Sequence, residues 1–198
     1  MNALILASTS AVRSRLLRDA GLAFEVVPPM VDEADVKASL LVERLGANAI
    51  ADSLAEAKAV AVSAARPQAL VIGCDQVLAF EGRVIEKSAD LGEARKLLAE
   101  LRGKAHALLT ACVLAKGGEP VWRRLDRCTL SMRPFSDAFL EDYLQAEGDT
   151  LLTSVGCYQL EGRGAQLFER VEGDYFSVLG LPLIPLLVAL REHGILER

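Results

Sequence analysis

The sequence is poor in the residues that build zinc sites and disulfide frameworks. It has only two histidines, His106 and His193, and four cysteines that occur singly, with no CxxC pair. Zinc ligands cluster at short spacings, and disulfide frameworks need more densely placed cysteines. The pattern therefore favours buried free thiols in a reducing cytoplasm. The four thiols concerned are Cys74, Cys112, Cys128 and Cys157.

Long apolar runs and an excess of positive charge are also missing. No stretch approaches the roughly 18 consecutive apolar residues of a membrane span. The apolar residues 1–7 are followed, not preceded, by Arg13 and Arg15, which is the wrong order for a secretory signal. The formal net charge is -5, whereas a surface that binds a phosphate backbone needs clustered basic residues. We expect a cytoplasmic protein that binds neither membrane nor nucleic acid.

Several common enzyme motifs are absent as well. The chain contains no GxxxxGK[ST] phosphate loop, no GxGxxG after its first strand, no HExxH and no GxSxG elbow. With 198 residues it can bury a substantial core. We expect a single domain over residues 1–198, arranged as two lobes around a cleft.

What is present is an apolar pattern that alternates between strand and helix. Residues 4–7 form a buried strand, followed by a helix that Ser8 to Ser10 can cap. A long helix is predicted from about residue 40 to 65. Residues 69–74 form a second buried strand, which carries Asp75 and Gln76 at its carboxyl end.

The second half of the chain reads as more antiparallel. Turn residues such as Glu81-Gly82 and Gly117-Gly118 separate strand-like runs, and Ser136 caps a helical stretch. The fold class is therefore α/β, with a mixed central sheet flanked by helices and a central cleft. The further predicted elements are strands 24–27, 77–80, 83–85, 107–115, 121–132 and 166–171, and helices 91–101, 137–146 and one after Pro182.

Ser8, Ser10 and Arg13 are the first candidate ligand-binding group. They follow the first strand, where hydroxyls, a guanidinium and the N–H groups of a helix start can together hold phosphate oxygens. The alternative is an ordinary helix cap next to a surface arginine, and the sequence by itself leaves both open.

Two carboxylates and two lysines form a second candidate group. Asp75 could ligate a divalent cation or deprotonate an attacking water, or it could cap a turn. Glu33 could share the metal with Asp75 or be an ordinary solvated loop carboxylate. Lys58 and Lys87 could neutralise a triphosphate, and both could equally be solvated.

These residues occur in segments that resemble, in order, the motifs of the Maf family. Residues 6–13, LASTSAVR, resemble the family's LASxSxxR opening. The resemblance continues along essentially the whole chain, so the joint match is specific. The other matching segments are 31–33 (VDE), 55–59 (AEAKA), 72–76 (IGCDQ), 86–88 (EKS), 156–162 (GCYQLEG) and 173–182 (GDYFSVLGLP).

The resemblance implies an inosine-triphosphatase-like fold and a metal-dependent pyrophosphatase that is commonly dimeric. Such an enzyme hydrolyses nucleoside triphosphates between the α- and β-phosphates. Asp75 matches the family's proton acceptor, and a divalent cation, Mg²⁺ or Mn²⁺, would be held by Asp75 and Glu33. The implied partners are the nucleotide and a second copy of the chain. The implied phosphate-binding residues are Ser8, Ser10, Arg13, Glu33, Lys58 and Lys87.

The same resemblance places the choice of base at Val12, Gln76 and Glu161. Glutamine and glutamate at the last two positions resemble the 7-methyl-GTP enzymes, whereas threonine and glutamine resemble the dTTP/UTP enzymes. A carboxylate can accept hydrogen bonds from both N1–H and the exocyclic amine of guanine. Two alternatives remain: a dTTP/UTP or broad-specificity pyrophosphatase, and a non-catalytic nucleotide-binding regulator of division.

Overall fold

The computed structural model describes residues 3–42 and 46–197, which form an α/β fold with a mixed sheet. The strands follow the order β2-β1-β3-β5-β6-β7, and β4 pairs with β3. β1 is parallel to β2 and β3, whereas β4 and β7 are antiparallel to β3 and β6. This arrangement confirms the predicted fold class. The strands are β1 (Leu4–Ala7), β2 (Glu25–Val26), β3 (Leu70–Phe80), β4 (Arg83–Ile85), β5 (Ala105–Lys116), β6 (Glu119–Met132) and β7 (Phe168–Glu172).

Seven α-helices lie in the described part of the chain. Two short 3₁₀ helices, Gly148–Thr153 and Arg163–Leu167, precede β7. No helix among the described residues is long and apolar enough to cross a membrane. The α-helices are α1 (Ala11–Asp19), α2 (Glu33–Val42), α3 (Ala47–Ala65), α4 (Leu91–Leu101), α5 (Asp137–Glu147), α6 (Tyr175–Val178) and α7 (Leu183–Glu192).

The chain divides into two compact units. Unit 1 contains the described residues up to Gln76, together with Leu109–Asp126 and the described residues from Asp174 onward. Unit 2 contains Val77–Leu108 and Arg127–Gly173. Because β3, β5 and β6 each cross one of these boundaries, each contributes residues to both units.

The core of unit 1 is built on both faces of β1 and β3. Side chains alternate along a strand, so Leu6 and Ile72 join a cluster that includes Leu17 of α1 and Leu186 of α7. Ile5, Ala7 and Val71 face the other way and pack with Val62 of α3. A strand buried on both faces must be apolar throughout, which explains the uninterrupted apolar runs in the sequence.

Gly73 lets α3 lie unusually close to β3. A Cβ at this position would lie 2.3 Å from the Ala55 carbonyl oxygen and 2.7 Å from the Ala59 Cβ. Atoms cannot approach that closely without a shift, so the contact depends on glycine in the strand and alanine in the helix. The close packing brings Lys58 of α3 next to Asp75, two residues after Gly73.

Unit 2 packs α4 against α5 and encloses a polar pair. The Nε2 atom of His106 lies 2.6 Å from the Tyr158 hydroxyl, and Phe168 packs edge-on against Tyr158. His106 is 3% exposed, and its Nδ1 has no hydrogen-bond partner. Burial lowers the pKa of His106 to about 4.

Three features of the fold differ from the sequence-based prediction. The start predicted at residue 40 for the long helix is wrong, because this region contains two helices, α2 and α3. α2 begins at Glu33, where the Asp32 carboxylate accepts hydrogen bonds from the first N–H groups. α3 begins at Ala47. Residues 43–45 of that predicted helix lie outside the described residues. Asp75 and Gln76 lie inside β3, which continues to Phe80 because Leu78 to Phe80 pair with β4. The short helix α6 and the two 3₁₀ helices were not predicted.

The other predicted elements are present, with ends shifted by a few residues. Ser10 and Ser136 cap α1 and α5 through their side chains, as the sequence indicated. The hairpin turn at Glu81-Gly82 joins β3 to β4, and both residues have positive φ, a conformation that suits glycine. All four cysteines are buried free thiols, which confirms their prediction.

Candidate active site

The β1–α1 junction brings Ser8, Ser10 and Arg13 together. The Ser8 hydroxyl accepts hydrogen bonds from the Ser10 backbone N–H and from Nη1 of Arg13, both at 3.2 Å. The Ser10 hydroxyl accepts from the Arg13 backbone N–H at 3.4 Å. Arg13 also donates from Nε to the Gly180 carbonyl at 2.8 Å, which fixes its guanidinium. Hydroxyls, a fixed guanidinium and a helix start together suit an anionic ligand.

Lys58 joins two carboxylates in unit 1. Its Nζ lies 2.7 Å from Oδ1 of Asp75 and 2.9 Å from Oε1 of Glu33. The side chains of Lys58 and Asp75 are 7% and 9% exposed, whereas that of Glu33 is 48% exposed. Because both carboxylates contact one ammonium group, their oxygens lie close together. The fold therefore brings Glu33, Lys58 and Asp75 together, and their roles in binding metal and phosphate remain predictions.

The environment of Asp75 makes its carboxylate more basic than one in water. Burial raises the pKa of Asp75, and the positive charges of Lys58 and Arg13 only partly oppose that change. The negative charge of Glu33 raises it further. A buried carboxylate with a raised pKa is suited to accept a proton from water. The influence of Arg13 on Asp75 also shows that the two groups of candidate residues are electrostatically connected.

Carboxylate oxygens are the ligands that Mg²⁺ and Mn²⁺ prefer, so Asp75 and Glu33 are chemically suitable donors. These two residues supply too few ligands to complete a metal site by themselves. No group of three or more His, Cys, Asp or Glu residues in the described part of the chain could hold a metal ion. A cation bound here would need most of its ligands from water or from substrate phosphates. That arrangement is usual for Mg²⁺ sites that bind nucleotides.

Gln76 follows Asp75 in β3, and its side chain joins a different set of contacts. Its Nε2 lies 2.9 Å from the Thr110 hydroxyl, 3.0 Å from the Val178 carbonyl and 3.1 Å from the Ser177 carbonyl. The Thr110 hydroxyl in turn donates to the Ser177 carbonyl at 2.7 Å. The amide of Gln76 is therefore held on β5 and α6.

The remaining candidates lie elsewhere. Val12 is half-buried and packs against the apolar cluster of unit 1. Lys87 and Glu161 belong to unit 2, where both are exposed; Lys87 follows β4, and Glu161 lies in a turn before the second 3₁₀ helix. Within unit 1 the contacts bring six candidates into two groups, and the specificity roles of Val12, Gln76 and Glu161 remain predictions. The first group is Ser8, Ser10 and Arg13, and the second is Glu33, Lys58 and Asp75.

Sequence reasoning missed the contribution of residues 174–180. The Gly180 carbonyl accepts a hydrogen bond from the Arg13 guanidinium, and the Ser177 carbonyl accepts hydrogen bonds from the side chains of Gln76 and Thr110. Backbone carbonyls leave no residue-type signal, so this role could not be found from the sequence. The available signal was the match of residues 173–182 to a family block, which carried no chemical assignment.

An α/β fold with a buried carboxylate paired to Lys58, and with a fixed guanidinium at a helix start, defines a protein suited to an anionic ligand. The chain belongs to the Maf family: the model of this family, described as Maf-like protein, matches residues 3–193. A nucleoside triphosphate pyrophosphatase of Caulobacter vibrioides is 54% identical over 96% of both chains. One from Granulibacter bethesdensis is 50% identical over 96% of both. A 7-methyl-GTP pyrophosphatase of Rhizobium meliloti is 46% identical over 98% of both.

One solved structure is weakly similar to the chain. A nucleoside-triphosphatase, dITP/XTP pyrophosphatase, of Mycobacterium abscessus aligns over 98% of this chain and 95% of that chain. The TM-score is 0.38 and the sequence identity 16%, which is too weak a likeness to support an argument.

Proposed function

We propose that the chain hydrolyses 7-methyl-GTP to 7-methyl-GMP and pyrophosphate. Its membership of the Maf family, and relatives at about 50% identity over nearly their full length, support nucleoside triphosphate pyrophosphatase activity, which makes the chain a hydrolase. The preference for the 7-methylguanine base and the roles of the individual residues are proposals.

The observation that carries the reaction is the buried Asp75 carboxylate beside Lys58. In the proposed reaction a water molecule attacks the α-phosphorus and Asp75 takes its proton. The bond between the α-phosphorus and the bridging oxygen breaks, and pyrophosphate leaves with that oxygen. Lys58 and Arg13 offset the negative charge of the phosphates, and they act strongly because they are already held in place.

Asp75 and Glu33 would hold a divalent cation, Mg²⁺ or Mn²⁺, together with phosphate oxygens of the substrate. Such an ion supplies Lewis-acid polarisation of the phosphate group and neutralises its charge. Lys58 would then keep the two carboxylates oriented, since it already contacts both. Ser8 and Ser10 would donate hydroxyl groups to the phosphates, and exposed Lys87 would add a further positive charge.

The choice of 7-methyl-GTP has two supports. Relatives from Rhizobium meliloti and Rhizobium etli, both 46% identical, are named 7-methyl-GTP pyrophosphatases. Gln76 and Glu161 also match the residues of that subgroup. A glutamate accepts two hydrogen bonds from guanine, whereas uracil or thymine offers one N–H. Val12 provides apolar contact without the stacking that an aromatic residue would add.

The test is pyrophosphate release with Mg²⁺ or Mn²⁺ from 7-methyl-GTP, GTP, dTTP, UTP and CTP. The wild type is compared with Asp75→Asn and with Asp52→Asn, a matched control that alters a carboxylate of α3 paired with Arg123. We expect a preference for 7-methyl-GTP, loss of turnover in Asp75→Asn and normal turnover in Asp52→Asn. A pyrimidine preference would overturn the substrate proposal, and an active, folded Asp75→Asn would overturn the role of Asp75. Omitting the metal tests the need for a cation, and sedimentation tests the homodimer that the family resemblance implies.

A further inference from the structure

The last carbonyls of the one-turn helix α6, in unit 1, accept hydrogen bonds from side chains of two strands. The final carbonyls of a helix lack partners within the helix. Here the Ser177 carbonyl accepts from Thr110 and from Gln76, and the Val178 carbonyl accepts from Gln76. The contacts tie α6 to β3 and β5.

This environment fixes which way the Gln76 amide points. Its nitrogen lies within 3.1 Å of two carbonyl oxygens, and neither of these can donate a hydrogen bond. Turning the amide over would place its own oxygen against both carbonyls, which is repulsive. The Nε2 group is therefore fully used inside unit 1. Because these contacts use Nε2, Oε1 is the atom of the Gln76 amide that a ligand would meet.

Ser177 accepts a hydrogen bond from Gln76 through its carbonyl, and it also donates hydrogen bonds to two aspartates. Its hydroxyl donates to Oδ2 of Asp126 at 2.7 Å, and its backbone N–H donates to Oδ1 of Asp174 at 2.8 Å. The Ser177 residue is fully buried, and the Asp126 side chain is only 12% exposed. A buried, satisfied network of this kind restricts its members to one arrangement.

The same residues stand at the ends of the segments that make up unit 1. Unit 1 has three segments: Gln76 ends the first, Thr110 and Asp126 lie at the two ends of the second, and Asp174 begins the third. Because Ser177 is linked to all four, the network fixes these segment ends relative to each other within unit 1. Gln76 is held by this network through its hydrogen bond to the Ser177 carbonyl.

We propose that Asp126 and Ser177 are positioning residues for substrate selection, which hold Gln76 so that only its carbonyl oxygen faces the ligand. The inference rests on the proposed function in one respect, that Gln76 contacts the base. A glutamine held in this way accepts a hydrogen bond from an N–H or NH₂ group of the base. It does not donate to a ring nitrogen or a carbonyl oxygen of the base.

A double-mutant cycle tests the proposal. The readout is the ratio of kcat/KM for the two nucleotides of the panel that the wild type separates best, so it does not depend on 7-methyl-GTP being the preferred one. We expect Asp126→Ala to reduce this ratio about three- to tenfold, the effect of one misplaced hydrogen bond. In a Gln76→Ala background, where the ratio is already reduced, Asp126→Ala should change it by less than about twofold.

Three further variants separate positioning from a general loss of structure. Asp126→Asn still offers a carbonyl oxygen to Ser177 and should keep the ratio within about twofold of the wild type. Ser177→Ala deletes the hydroxyl but keeps the backbone carbonyl, and should lower the ratio in the same way as Asp126→Ala. Asp52→Ala removes a different aspartate that pairs with an arginine of β6, and should leave the ratio unchanged.

Two results would overturn the proposal. One is an equal effect of Asp126→Ala with and without Gln76, which would mean that Asp126 acts on the whole fold. The other is an unchanged ratio in Asp126→Ala, Ser177→Ala or Gln76→Ala. A pyrimidine preference of the wild type would refute only the choice of 7-methyl-GTP, because the cycle can be run on any pair of substrates.

Discussion

The buried His106 should make the protein less stable in mild acid. It is 3% exposed, its Nε2 lies 2.6 Å from the Tyr158 hydroxyl, and its Nδ1 has no hydrogen-bond partner. Burial lowers its pKa from 6.5 to about 4, because a charged imidazole would lose its hydration there. The folded protein therefore holds His106 neutral under conditions in which the unfolded chain has already bound a proton.

The sign and size of the effect follow from this difference in pKa. Well above pH 6.5 His106 is neutral in both states, so its titration costs no stability. As the pH falls through that value the unfolded state binds a proton that the folded state does not, and the free energy of unfolding decreases. The loss should be about 1.5 kcal/mol at pH 5.5 and about 2.5 kcal/mol at pH 4.5, and it levels off at about 3.5 kcal/mol once both states are protonated.

The assay is urea unfolding followed by circular dichroism between pH 4.5 and 7.5, for the wild type and for His106→Gln. Glutamine does not titrate and can keep a hydrogen bond to Tyr158. Other groups titrate in both proteins, so the informative quantity is the difference in the free energy of unfolding between the two. We expect this difference to shift in favour of His106→Gln by about 2.5 kcal/mol from pH 7.5 to 4.5. A difference that stays constant across this range would refute the reasoning.

The remaining predictions concern packing, capping and specificity. Gly73→Ala should destabilise the fold by about 1–3 kcal/mol and lower turnover, because α3 must shift and carries Lys58 with it; normal stability and turnover would contradict this. Asp90→Ala removes the N-cap of α4, where the carboxylate accepts from the Glu93 N–H, and should cost about 1 kcal/mol in urea unfolding without changing turnover. Glu161→Gln should weaken purine selectivity by about 1–3 kcal/mol, measured as ratios of kcat/KM; unchanged ratios would remove Glu161 from base selection.

Local signals in the sequence predicted much of the fold. Ser10 and Ser136 act as helix caps because a hydroxyl satisfies a free N–H wherever the helix starts, and this needs no distant partner. Gly82 marks a hairpin turn for a similarly local reason, its positive φ. The beginning of α2 was missed because Asp32 looks the same in sequence whether it caps a helix or is solvated in a loop.

The candidate site was predicted in its residue types but not in its contacts. Lys58 occurs in an alanine-rich helix and could as well have been a solvated surface residue. Its burial follows from the close approach of α3 to Gly73, which depends on atoms from two separate elements. The site therefore needed the packing of the fold before its charges could be paired.

The sequence by itself determined the fold class, the caps of α1 and α5, the hairpin turns, the four free thiols and the family, because these depend on local residue patterns and on ordered motifs. Only the tertiary structure decided that Lys58 joins Asp75 to Glu33 and that Gln76 is held by Ser177. Electrostatic and hydrogen-bonding contacts act over a few ångströms, and residues far apart in the chain reach that distance only when strands and helices pack. The carbonyls that receive Arg13 and Gln76 belong to the backbone, which is chemically alike at every residue and acquires a role only through its position.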